Sequence, residues 1–170
     1  VFSQALNNGN LIGSYDSSVL FYNLGFIYSR ITGLRNLFPQ TALHAIAVKA
    51  NPLTKILSKI KTMGVGAEVA SLPELHLAEM AGFAPATIVY DSPCKTRKEI
   101  EYALKAGIHI NADSFDELGR IDEILKTTKT QSTIGLRINP QVGTGAIKIT
   151  RVAGDISKFG IPINENREAI

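Results

Sequence analysis

The chain has 170 residues, of which 45% are hydrophobic and 19% charged, with a formal net charge of +3. That is enough apolar material for one sizeable core, and length alone gives no reason to expect a second domain. One cysteine excludes an internal disulfide and any cysteine-built zinc cluster, which fits a reducing, cytoplasmic setting.

Residues 1–18 are rich in Asn, Ser and Gly and read as an irregular lead-in, beginning at Val1 with no signal peptide. Residues 19–24 then read as a strand and 27–38 as a helix ended by Pro39. Apolar residues 20–27 are too few, and too broken by Asn23 and Gly25, to span a membrane.

From residue 43 the chain repeats one unit: a short apolar strand, a turn, and an amphipathic helix closed by glycine. Strands are expected at 43–48, 66–70, 87–90, 108–112 and 133–138, a spacing that matches a βα unit. Ser71 with Glu74, Thr96 with Glu99, and Ser114 with Glu117 form three successive capping boxes. Gly64, Gly82 and Gly107 follow helices where a left-handed cap favours glycine. In the first of these helices Lys55, Lys59 and Lys61 share helical spacings, so the positive surplus reads as a solvated face and not a nucleic-acid patch. His44, His76 and His109 lack metal-ligand spacing and read as structural or surface residues. Cys94, in the loop Ser92-Pro93-Cys94-Lys95, reads as incidentally exposed. A last helix is expected to begin beyond Asn164, which would cap it.

Strands alternating with helices imply a parallel sheet. No Gly-x-Gly-x-x-Gly follows the first strand, so the evenness of the repeat favours a (β/α) barrel over a doubly wound sheet. Barrel chemistry gathers at the carboxyl ends of the strands, and those ends read Lys49 with Asn51, Glu68 with Ser71, Asp91 with Ser92, Asn111 with Asp113, and Arg137 with Asn139. Ser71 and Ser114 are explained as helix caps, and Asn139-Pro140 as a turn. Lys49, Glu68 and Arg137 are not explained that way. Lys49 ends the apolar run Ala45-Ile46-Ala47-Val48, so its ammonium is expected at the edge of a largely desolvated sheet, where a neutral amine becomes a nucleophile toward carbonyl carbon. By itself that run equally fits a strand-end lysine reaching to water. A lysine, a carboxylate and an arginine facing one cavity suit a carbonyl cofactor with an anionic handle.

Five segments taken together resemble the fold-type III pyridoxal phosphate enzymes, the family of diaminopimelate, ornithine and arginine decarboxylases, with alanine racemase as a more distant member. They are Ala47-Val48-Lys49-Ala50-Asn51-Pro52; Gly66-Ala67-Glu68-Val69-Ala70-Ser71 with Glu74-Leu75; Asn111-Ala112-Asp113-Ser114 with Glu117-Leu118; Leu136-Arg137-Ile138-Asn139-Pro140; and Ser157-Lys158-Phe159-Gly160-Ile161. The resemblance implies an alanine racemase-like (β/α)8 barrel of which residues 19–170 carry about five of eight strands, the remainder and a C-terminal β-domain lying beyond Ile170. It also implies pyridoxal 5'-phosphate held as a Schiff base on Lys49, with Glu68 near the cofactor and Arg137 supporting the floor of the site. A small amino-acid substrate and, in the full-length protein, a homodimer follow from it, with no nucleic-acid or membrane partner. The implied reaction is decarboxylation of a basic or diamino acid. A cofactor-binding barrel without decarboxylase activity and an amino-acid racemase stand as alternatives. Glu68 occupies a position where better-known members have Asp, and residues 142–147 lack the histidine-containing segment usual in diaminopimelate decarboxylases.

Overall fold

The structure, a computed structural model, describes residues 18–142, 153–154 and 157–170. Most of the expected lead-in and most of the 142–147 segment lie outside these residues. Strands β1 (Ala45–Ala47), β2 (Gly66–Val69), β3 (Ile88–Asp91), β4 (His109–Ala112) and β5 (Ile134–Leu136) form one parallel sheet in sequential order. Helix α1 (Leu24–Arg35) precedes it, and α2 (Thr54–Lys61), α3 (Leu72–Met80), α4 (Arg97–Ala106) and α5 (Phe115–Leu125) connect its strands. A doubly wound sheet reverses its strand order at a switch point, whereas this order runs one way, as a barrel wall does.

Arg137 interrupts the segment expected as a single strand at 133–138. After it come β6 (Ile138–Asn139) and, later, its parallel partner β7 (Ile161–Pro162), followed by the short helix α6 (Ile163–Asn166). The Arg137 backbone nevertheless joins the two sheets: its N–H donates to Ala112 O at 2.8 Å, and its carbonyl accepts from Ile161 N at 2.8 Å. Asn164 lies inside α6 instead of capping it, because Pro162 already holds the cap position.

The strands are two-sided. Ala67, Val69, Ile88, Tyr90, Ile110 and Ala112 are fully buried against Leu75, Ile100, Leu104 and Ile121 of the helices. Side chains alternate across a strand, so Glu68, Val89, Asp91, His109 and Asn111 share the opposite face. The register agrees, pairing Glu68 with Val89, Val89 with His109, and Asp91 with Asn111. On that face His109 and Asn111 meet at 2.8 Å between Nε2 and Oδ1. Lys55, Lys59 and Lys61 are exposed, as a solvated helix face requires.

The helix starts follow their caps. Thr96 and Glu99 form a reciprocal box. Ser71 and Ser114 accept from Glu74 N and Glu117 N, but those glutamates reach one residue further back, to Ala70 N and Asp113 N. Gly64, Gly82 and Gly107 take the expected positive φ. The strand expected at 19–24 does not form. Asn23 instead accepts from Phe26 N at 2.9 Å and opens α1 at Leu24, so the cap overrides the apolar run.

Two glycines give opposite expectations. A Cβ on Gly66 would lie 2.2 Å from Thr87 O on the neighbouring strand, whereas one on Gly119, exposed in α5, would meet nothing within 4 Å. Gly66→Ala should cost about 1–3 kcal/mol of stability and Gly119→Ala should add up to about 1 kcal/mol, as measured by urea unfolding.

Candidate active site

Lys49 leaves the end of β1 on a 3-10 turn, Val48–Ala50, and its side chain is exposed, not desolvated as its strand-end setting suggested. The apolar run stops being strand at Ala47, so the lysine reaches out from the rim of the sheet and not from within it. Glu68 is half-buried on β2, in register with Ala47. Burial raises its pKa, the charges of Asp91 and Glu74 add to the rise, and those of Lys49 and Arg137 oppose it. The sequence-selected trio therefore shares one electrostatic neighbourhood.

Two carboxylates that the sequence places on the rim, but does not single out as site residues, complete it. Arg137 Nη1 lies 3.5 Å from Asp91 Oδ2 and 3.6 Å from Asp113 Oδ1, and its guanidinium stacks over the Phe159 ring at 4.4 Å. These are charge contacts beyond hydrogen-bond length, so the cation is bracketed and not clamped. Asp91 Oδ1 and Asp113 Oδ1 are buried and lack a hydrogen-bond partner among the described residues. Burial pushes the Asp113 carboxyl up, against the Gly160 backbone N–H, Arg137 and Lys95, all of which pull it down. Gly160 itself has φ +75° and a Cβ position 2.9 Å from Arg137 O, so only glycine lets the 157–160 turn close over Arg137.

The clue to these carboxylates was positional. Asp91 ends β3, Asp113 follows β4, and both belong to the rim that the repeat predicts, but neither stands in an unusual sequence context. Cys94 is exposed, and the described His, Cys, Asp and Glu residues form no group that could hold a metal ion. No described helix is long and apolar enough to cross a membrane.

Chemically the rim offers a primary amine, a half-buried carboxylate with a raised pKa, and an arginine between two further carboxylates. This donor set fits a group with an aldehyde for the amine and a basic ring nitrogen for the carboxylate. The raised pKa also has a sign for stability. The native state holds a proton on Glu68 more tightly than the unfolded chain, so this group's contribution is fully present in acid and is lost as pH rises from about 4 through its folded value. Glu68→Gln should therefore gain stability relative to wild type as pH rises through that window, measured by urea unfolding at a series of pH values; a relative loss would contradict it.

Residues 24–170 match the family model described as "pyridoxal-dependent decarboxylase, pyridoxal binding domain". The chain is 39% identical over 123 residues to diaminopimelate decarboxylase of Archaeoglobus fulgidus, covering 72% of this chain and 29% of that protein. It is 31% identical over 148 residues to an L-glutamyl-[BtrI acyl-carrier protein] decarboxylase of Niallia circulans, covering 86% and 34%. A crystal structure of diaminopimelate decarboxylase from Helicobacter pylori complexed with L-lysine superposes with a TM-score of 0.83 at 27% identity, over 99% of this chain and 42% of that one. The chain thus spans less than half the length of these relatives. Its sheet is part of the wall of the alanine racemase-like barrel. With the match running through both sheets and every rim residue, the chain belongs to the pyridoxal-dependent decarboxylases, and residues 24–170 correspond to their pyridoxal-binding domain.

Proposed function

We propose that the full-length protein containing this chain is a pyridoxal phosphate-dependent decarboxylase of a basic or diamino acid, with Lys49 as the residue that holds the cofactor. The observation that carries this reading is the placement of an exposed primary amine and a raised-pKa carboxylate on one rim of the barrel wall, in a chain that belongs to this family.

In this reading Lys49 Nζ would hold the cofactor through its aldehyde, and the exposed rim leaves that amine accessible. Glu68 would hold the ring nitrogen, where a carboxyl with a raised pKa shares a proton more readily than an ordinary carboxylate. Lys49 and, more weakly, Arg137 oppose that rise, and Arg137 stands between Asp91 and Asp113. Bound there, the cofactor supplies an electron-withdrawing ring that takes up the electron pair released when carbon dioxide leaves. The Lys49 amine would also assist proton return to the substrate carbon. Residues 19–170 form the cofactor-binding portion, and the amino-acid substrate, a homodimer and a cytoplasmic setting belong to the same proposal.

The relatives named above share decarboxylation in their names but differ in what they decarboxylate, so substrate choice is the part to test directly. Carbon dioxide release from the full-length protein should be highest with a basic or diamino acid among diaminopimelate, ornithine, arginine, lysine and glutamate. Lys49→Ala should lower it by about a thousandfold or more. Racemisation or simple cofactor binding without carbon dioxide release would overturn the proposal.

A further inference from the structure

Beneath the rim lies a buried ion pair that the proposed chemistry does not use. The Lys95 side chain is 0% exposed and that of Glu117 2%. The Lys95 ammonium donates to Ser92 O at 2.7 Å and Asn111 O at 2.9 Å, and lies 2.8 Å from Glu117 Oε2, so its three hydrogens meet three oxygens. The same Glu117 Oε2 accepts from Asp113 N at 2.9 Å. Beside the pair stands the fully buried Tyr90, whose ring lies 5.7 Å from the ammonium.

A pair buried so deeply is weak evidence of stabilisation, because two matched apolar side chains in its place are often neutral or more stable. What it supplies is geometry. The last register pair between β3 and β4 is Asp91 with Asn111, and beyond it no ladder joins these two strands, although Ala112 of β4 still pairs with Leu136 of β5. Lys95 begins there: it ties the carbonyl after Asp91 to the carbonyl of Asn111, and through Glu117 to the N–H of Asp113. Asp91 and Asp113 are the two carboxylates that bracket Arg137. One cation on the helix side of the sheet thus sets the spacing of two anions around another cation on the inner side.

We infer that Lys95 and Glu117 are positioning residues, whose buried pair fixes the separation of Asp91 and Asp113 and thereby the seat of Arg137. The inference rests on the proposed role of Arg137 in supporting Glu68, but its test needs no cofactor. In the full-length apoprotein, Lys95→Met removes the close cation of Glu117, leaving only Arg120 at 3.9 Å, and should lower Tm, whereas Lys95→Met with Glu117→Leu removes both charges and should recover most of that loss. In both variants exchange of the Arg137 Nε–H with water, followed by ¹⁵N NMR, should quicken at least about tenfold, because its bracket loosens. A double variant with recovered Tm and wild-type Arg137 exchange would overturn the inference. So would a double variant that fails to fold, since the pair would then be needed for stability itself. Loss of cofactor labelling at Lys49 in wild type, with Arg137 exchange responding as expected, would count against the proposed function alone.

Discussion

Arg137 is the constraint on which the rest of the site depends. Its backbone stitches the five-stranded sheet to the β6–β7 pair, and its side chain stands between the ends of β3 and β4. An arginine suits this place because it stays charged at any relevant pH, so two half-compensated carboxylates can be held beside it. The 157–160 turn closes over it only because position 160 is glycine, and Phe159 stacks on the guanidinium face. Without that cation, Asp91, Asp113 and Glu68 would form a cluster of like charge at the mouth of the sheet, a costly arrangement at low dielectric.

The architecture divides labour between the two faces of one sheet. The helix face of β2, β3 and β4 is apolar and fully buried, and it forms the core. The inner face and the rim carry the polar groups of the candidate site: the amine on the turn after β1, Glu68 on β2, Asp91 at the end of β3, the His109–Asn111 pair on β4, and Arg137 after β5. The Lys95–Glu117 pair is the exception, a charged element on the helix side whose hydrogen bonds, donated by Lys95 and by Asp113 N, lead to the strand ends, with Arg120 of the Glu117 helix 3.9 Å from Glu117 Oε1.

Much of this was legible in the sequence because periodicity and caps are local. The five strands of the main sheet, the helices between them and the rim order follow from spacing, and the three Ser/Thr–Glu pairs mark helix starts within a residue. The failures have equally local causes. The apolar run at 19–24 suggested strand, but the Asn23 side chain competed and opened a helix. The Lys49 run suggested a desolvated amine, but three residues of 3-10 turn lift that side chain to an exposed rim. Lys95 was invisible for the opposite reason. A lysine in a Pro-Cys loop is ordinarily solvated, and only the tertiary meeting of Ser92, Asn111 and Glu117 takes it inside. Asp91 and Asp113 stood on the predicted rim, but their importance comes from bracketing Arg137, a contact across three strand ends that no spacing rule encodes.

The central claim is that Lys49 is the covalent anchor of this rim, and the most direct measurement is chemical. The full-length protein should be incubated with pyridoxal phosphate, reduced with borohydride, digested and mapped by mass spectrometry. The account predicts a pyridoxyl group on Lys49 in preference to the chain's other lysines. Labelling spread evenly over the exposed lysines, or concentrated at a lysine away from the strand ends, would contradict it.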